Sequence, residues 1–257
     1  MKIKNYKKRI KFLRRRLLDI SQMHGAIHLG GALSSVEIID AIYSKLINKN
    51  NNDIFIMSKG HSAILQYIYL EYLGVLKKNF VNSYCKKNSL LGVHPDIEVP
   101  GIHASTGSLG HGLAILNGIA LANRKKRNKY FLLMSDGELQ EGSVWEAVRI
   151  SSDLKLNNII VFVDCNNIQS SDYVSKLHPN TYPIDKKFRS FGWQVEKCNG
   201  HNRLDLLKAF KKRKKNKPYL IIANTIKGFP LSFAKDNPLW HYRSPSKEEY
   251  KIALKEI

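Results

Sequence analysis

Five short apolar runs, at residues 53–57, 130–134, 159–163, 193–197 and 219–224, punctuate the chain, and between them apolar residues recur at helical spacing. A first helix over 7–23 places Ile10, Leu13, Leu17 and Ile20 on one face, with its cationic face turned to solvent. A second, over 35–46, turns Val36, Ile39, Tyr43 and Leu46 inward; helices follow at 63–73 and 113–127. Between the second and third apolar runs Val144, Ala147, Val148 and Leu154 share a face. A short helix at 186–191, one at 203–213 with Leu204, Leu207 and Phe210 inward, and a last one beginning at Ser246 complete the set. Ser34 with Glu37, and Ser143 with Glu146, have capping-box spacing. Strands alternating with helices predict an α/β fold: one doubly wound, mostly parallel sheet with helices on both faces. With no repeat and no low-complexity linker, residues 1–257 read as a single domain. Three stretches stay irregular: 85–111, 170–185 and 225–244. A compact domain rarely keeps one as long as the first unless it binds something or is disordered.

Composition narrows the class. The 42 Lys and Arg against 21 Asp and Glu give a net charge of +21, a field that favours phosphorylated ligands and tolerates nucleic acid. The charges fall mostly on predicted helix surfaces and ends, and the densest run, 211–217, closes a helix, where cations complement the dipole. Aromatics are not interleaved with it and no nucleic-acid motif is present, so no nucleic-acid partner is expected. No apolar run reaches the length of a membrane span and no hydrophobic signal segment follows the basic N-terminus. Cys85, Cys165 and Cys198 lie far apart, with no metal-spaced pair. Together these point to a cytoplasmic chain with no membrane partner.

The candidate chemistry sits after the strands. Asp136 follows the second apolar run and Asn166 the third, and open α/β sheets bind ligands outside the carboxyl ends of their strands. An anionic and a neutral oxygen suit magnesium, which shares its shell with phosphates. Gly137 lets a ligand approach the backbone. His61 stands at the turn after the first run, and His24 and His28 flank a glycine-rich turn at 24–31. The segment 105–112, rich in glycine and running into a helix start, has the form of an anion cradle.

These segments together resemble the diphosphate-binding half of a transketolase, and most closely the separate N-terminal subunit of split, two-chain transketolases. The pieces that carry the resemblance are HLGGALSSVEI, SKGHSAIL, HPDIEVPGIHASTGSLGHG, SDGELQEGSVWEA, VDCNN and TIKGFPLSF, in the family's order from His28 to the tail at Trp240 and His241. The resemblance implies a thiamine-diphosphate (ThDP) enzyme of carbohydrate metabolism. It would transfer a two-carbon ketol unit from a ketose phosphate to an aldose or aldose phosphate. Asp136, Asn166 and the carbonyl of Ile168 would hold magnesium, or manganese or calcium in its place. Gly107, Ser108 and Leu109 would face the aminopyrimidine, and Gly137, Glu138 and His61 would complete the cofactor contacts. His28, His61, His94 and His241 would line the substrate channel. Glu141 would sit at a subunit interface, linked to the cofactor-activating glutamate of a pyrimidine-binding domain. Ser135 departs from the family's glycine, and serine resists positive φ, so the turn there would differ slightly. His111 and His103 are departures too.

No second sheet pattern supplies the pyrimidine-binding domain. The resemblance therefore implies a partner chain that carries it and the C-terminal domain, in a two-plus-two heterotetramer within which this chain homodimerises. The apolar surface for that partner is expected around Leu109 and on the helix after Glu141. Other readings are the α subunit of a 2-oxo acid dehydrogenase or a deoxyxylulose-phosphate synthase-like enzyme, which share the Asp and Asn metal site, and a non-catalytic module that keeps the fold. An unrelated phosphate binder is a further one, but residues 106–112 lack the Lys-Ser/Thr of a P-loop.

Overall fold

A computed structural model describes residues 5–25, 27–170, 172–214 and 216–257. The first four residues of the basic N-terminus, Ala26 in the glycine-rich turn, Ser171 in the 170–185 stretch and Lys215 in the basic run lie outside the described residues. Five strands, β1 (Ile54–Met57), β2 (Tyr130–Ser135), β3 (Ile159–Cys165), β4 (Gln194–Asn199) and β5 (Tyr219–Asn224), form one sheet in the order β1-β2-β3-β5-β4. Every pairing is parallel, with Ser135 opposite Asp164 and Asp164 opposite Ala223. The carboxyl ends of β2, β3 and β5 are therefore level, which sets their following loops side by side.

The helices are α1 (Tyr6–His24), α2 (Leu29–Ser34), α3 (Val36–Ala41), α4 (Ala63–Leu73), α5 (Gly112–Ala122), α6 (Gly142–Asp153), α7 (Val174–Leu177), α8 (Ile184–Ser190), α9 (Arg203–Lys211) and α10 (Lys247–Glu256). Strand residues alternate between two cores. Phe55, Phe131, Phe162 and Ile221 pack with α1 to α4 and α9; Leu132, Val161, Val195 and Leu220 pack with α5, α6 and α8. Burial on both faces explains why the central strands read as continuous apolar runs.

Several sequence expectations are corrected. Neither central capping box forms. The Ser34 hydroxyl donates to Asp164 and Glu37 accepts from Arg14, while the Ser143 hydroxyl donates to the Gly110 carbonyl. The helix expected over 35–46 begins earlier, at Leu29, breaks at Ser35 and ends in a π-helical turn, Ile42–Leu46. The helix expected to reach 127 stops at Ala122, where the Asn123 amide turns back onto the Ile119 carbonyl. Residues 170–185 contain the one-turn helix α7 and a 3-10 turn, Pro179–Thr181, and α8 starts at Ile184. On α9 Leu204 is 66% exposed, and Leu206 and Ala209 face the sheet instead, beside the half-buried Leu207 and Phe210. The cationic face of α1 is not all solvated: Arg9 and Arg14 are buried and paired with Asp40 and Glu37. The last helix does carry a capping box, from Ser246 to Glu249.

Phe162, fully buried in the central strand, is a direct test of this packing. Phe162→Ala should cost about 3–5 kcal/mol of unfolding free energy, read from chemical denaturation; a loss near zero would mean that β3 is not central.

Candidate active site

The loops after β1, β2, β3 and β5 surround a crevice of about 280 Å3. His28, His61, Gly107, Leu109, Gly137, Glu141, Asn166, Ile168 and His241 all lie on its wall. So do Lys59, Ser135, Gln140, Gln169 and Lys227, to which the sequence reading gave no ligand role.

Asp136 begins a 3-10 turn directly after β2 and is fully buried just behind the wall. One carboxylate oxygen accepts from the Gly137 N–H at 3.0 Å; the other accepts from the Asn167 N–H at 2.6 Å and the Tyr182 hydroxyl at 2.8 Å. The Asn167 bond joins Asp136 to the loop that carries Asn166. Burial pushes the Asp136 carboxyl up to about 6, against the pull of those hydrogen bonds. The Asn166 amide nitrogen donates to Asp164 at 3.1 Å, which fixes the amide's orientation, and its oxygen accepts from the Ile168 N–H at 3.0 Å. Neither Ser135 nor Gly137 has positive φ, so serine ends β2 without strain. Its hydroxyl accepts from the Glu138 N–H at 3.3 Å.

Glu138 is fully buried and does not reach the crevice. Its Oε1 accepts from the Gly110 N–H at 3.0 Å and from the Ser58 hydroxyl, while Oε2 has no hydrogen-bond partner among the described residues. Burial raises its pKa despite those bonds. The glycine-rich segment 105–112, expected to cradle an external anion, thus has its Gly110 N–H taken by the protein's own carboxylate. The Thr106 hydroxyl ties the same segment to the Met57 carbonyl at 2.6 Å. Gly107 has a φ of +142°, and a Cβ there would lie 2.6 Å from the His94 ring. His94 therefore stands behind Gly107 rather than on the wall, and Ser108 is exposed beside it. His103 lies outside the crevice, along β1, with Nδ1 3.3 Å from the Phe55 carbonyl. The His111 Nδ1 is 3.2 Å from the carbonyls of Ser108 and Leu109.

Three imidazoles share the wall: the ring centroids of His28, His61 and His241 are 5.2–5.7 Å apart. Burial first, then neighbouring cations and rings, lowers His28 to about 4 and His241 to about 3, and holds His61 well below its usual value. All three are neutral near pH 7. The Lys227 amine donates to the Ile168 carbonyl at 3.0 Å and to His241 Nδ1 at 2.7 Å, and among the described residues it forms no ion pair. Burial, then repulsion from Lys59, depresses it to about 7. Lys59 is fully buried and paired with Asp164. Both lysines were legible in principle, as single lysines set among glycine and apolar residues just after a strand rather than in a basic run.

Residues 5–253 match the family described as transketolase, thiamine diphosphate binding domain. The chain belongs to that family. It is 35% identical to one of the subunits of the apulose-4-phosphate transketolase of Actinobacillus succinogenes, over 97% of this chain and 95% of that one. It is 33% identical to a 6-deoxy-6-sulfo-D-fructose transketolase subunit of Clostridium sp. strain MSTE9, over 91% and 89%. The transketolase structure from Campylobacter jejuni superposes with a TM-score of 0.91 at 28% identity, over 99% of this chain and 43% of that one. The chain likewise spans 41% of the Leishmania mexicana transketolase structure. A transketolase-type, ThDP-dependent enzyme domain is thus the setting of the crevice.

The histidines fix the sign of a pH effect. Their folded values lie below that of free imidazole, about 6.5, so below that pH the unfolded chain takes up protons that the folded chain refuses. Stability should therefore rise with pH from about 4 to about 6.5. Urea midpoints across that window should show the rise, and His28→Gln should flatten it; an unchanged slope would mean that His28 is not held neutral.

Proposed function

We propose that this chain is the cofactor-binding subunit of a two-chain transketolase in the cytoplasm. With ThDP, magnesium and a partner chain it moves a two-carbon ketol unit from a ketose phosphate to an aldose or its phosphate. The observation that carries the reading is the juxtaposition of Asp136, Asn166 and the Ile168 carbonyl on two adjacent strand ends, beside Lys227.

The donor set fits a hard divalent cation. The Asp136 carboxylate has roughly four acceptor sites; among the described residues Gly137, Asn167 and Tyr182 take three, and the Cys165 thiol lies beside it. The Asn166 oxygen uses one of its two, and the Ile168 carbonyl faces an amine that can move aside. A cation bound there would also relieve the unfavourable burial of Asp136. Asp136, Asn166 and Ile168 would hold the metal, and Lys227 would meet the diphosphate. Gly107 and Leu109 would bound the aminopyrimidine, with Ser108 at the rim and Glu138 supporting their loop from behind.

When bound, ThDP supplies the carbon nucleophile and the electron sink. The chain's own part is to orient the sugar and handle its hydroxyl protons. Neutral His28, His61 and His241 can each accept one hydrogen bond and donate another. Burial is the main reason that they are weak bases, and an anionic ligand beside Lys227 would offset the smaller share that comes from neighbouring cations, moving them toward a range useful for proton transfer. His94, behind Gly107, would act through that loop.

Glu141 is exposed at the crevice edge, where it could share a proton in a hydrogen bond with a partner's activating glutamate. The exposed apolar surface favours a different helix from the one expected. On α6 the outward residues Glu146, Arg149 and Asp153 are charged and only Ile150 is apolar, whereas α5 exposes Ala114, Ile115, Gly118, Leu121 and Ala122. We assign the α5 face, with Leu109, to contacts within a heterotetramer, whether to the pyrimidine-domain chain or to a second copy.

Ketol transfer should require both chains: a coupled assay should give turnover with the partner and none with this chain alone. Full activity of the single chain would overturn the two-chain reading, and pyruvate decarboxylation without ketol transfer would favour the 2-oxo acid dehydrogenase class. Asp136→Asn should raise the magnesium needed for half-maximal ThDP binding by about tenfold or more, the loss of one charge-assisted contact; an unchanged requirement would remove Asp136 from the metal site.

A further inference from the structure

The loop that leaves β5 carries Lys227 into the crevice, and its backbone is fastened residue by residue. The Thr225 N–H donates to the Cys165 carbonyl at 3.1 Å and the Gly228 N–H to the Gly30 carbonyl at 3.1 Å. Between them the Ile226 N–H donates to a side chain, Nε2 of His201, at 2.9 Å. A donor at Nε2 requires that nitrogen to carry the lone pair, so the neutral ring holds its proton on Nδ1. That Nδ1 faces Glu37 Oε2 at 3.3 Å, and the other Glu37 oxygen accepts from Arg14 at 2.6 Å. The ring also lies against Phe229, with centroids 4.1 Å apart and planes 31° from parallel. The tautomer matches Glu37 of α3, itself held by Arg14 of α1, while Phe229 of the clamped loop sets the tilt of the ring.

We propose that His201 is a positioning residue for Lys227: by accepting the Ile226 N–H it fixes where the next residue's amine enters the crevice. Its link to the reaction rests on the assignment of Lys227 to the diphosphate given above. His201 touches neither cofactor nor substrate. It acts through one peptide unit, and the chain Arg14–Glu37–His201–Ile226 is a rigid strut between the first helix layer and the ligand side of the sheet.

Two variants separate the hydrogen bond from the ring. His201→Phe keeps an aromatic ring against Phe229 but removes the acceptor; His201→Gln restores an acceptor oxygen at the reach of Nε2. Amide exchange over 225–231 in the full, cofactor-free chain tests the clamp itself. It should speed up in His201→Phe and return toward wild type in His201→Gln, with the exchange of β3 unchanged in both. Calorimetry of ThDP with magnesium, on the chain mixed with its partner, tests the link to Lys227. His201→Phe should weaken ThDP by about tenfold, the worth of one well-placed hydrogen bond, and leave thiamine, which has no diphosphate, nearly unaffected. In a Lys227→Met background the same substitution should add little, because both act through one contact. Unchanged exchange, additive losses, or a His201→Gln variant as impaired as His201→Phe would each overturn the proposal. If the wild-type mixture took up no ThDP, the function assigned above would fall, and amide exchange would still decide the clamp.

Discussion

A single buried carboxylate holds the ligand side of this sheet together. Asp164, at the end of β3, accepts from Lys59, from the hydroxyls of Ser34 and Ser35 at 2.6 and 3.0 Å, from Thr225, and from the Asn166 amide at 3.1 Å. Those groups come from the α2–α3 junction, the turn after β1, the end of β5 and the loop after β3 itself. Burial alone would raise the Asp164 carboxyl, but the Lys59 charge and this set of donors outweigh it and hold it below the usual carboxylate range. A buried charge is tolerated only when paired and fully hydrogen-bonded, and removing one partner leaves the rest uncompensated. The positions of four loops are thereby made mutually dependent. The sheet supplies level strand ends; Asp164 turns them into one crevice.

The same centre governs what each wall residue can offer. With its nitrogen committed to Asp164, the Asn166 amide cannot flip, so an oxygen and not a donor is left on the side toward Ile168. Lys59 is spent on Asp164 and lends the crevice little net charge, but its ammonium still repels Lys227 and the histidines. On the other side Glu138 plays a comparable part beneath the 105–112 loop, whose Gly110 N–H it satisfies from behind. Two buried acids, neither of them facing the ligand, thus set the geometry of the groups that do.

Much of the fold was legible because it depends on local repetition. The apolar runs that became β2, β3 and β5 are buried on both faces, so continuous Val, Ile, Leu and Phe was a sufficient signal. Asp136 and Asn166 were legible because polar residues immediately after such runs must lie at the ligand edge of a parallel sheet. What failed was chemistry with two possible users. Ser34 and Ser143 have capping spacing, but a hydroxyl bonds whichever acceptor the tertiary fold brings near, and Asp164 and Gly110 won. Leu204 and Leu206 are equally apolar, and only the contact of α9 with the sheet selects the second. Arg9 and Arg14 were hidden for a compositional reason: in a chain with 42 basic residues, one more cation on a basic helix carries no information until its burial is known, and only their isolation just after a strand set Lys59 and Lys227 apart.

That point bears on the net charge of +21, which looks at first like the device that attracts phosphorylated ligands. Exposed charges are screened within about 8–10 Å at physiological salt, so the lysine-rich helix ends act weakly on anything inside the crevice. Lys227 is different. It is 2% exposed, forms no ion pair among the described residues, and sits at about 7, so a neutral amine and an ammonium are almost equally accessible to it. On the assignment of Lys227 to the diphosphate, a bound anion would shift that balance toward the ammonium. Part of the local field would then be made on binding, and the ligand-free crevice would carry the unpaired buried cation only part of the time. On that reading the surface lysines matter less to the crevice than the one buried beside the Ile168 carbonyl.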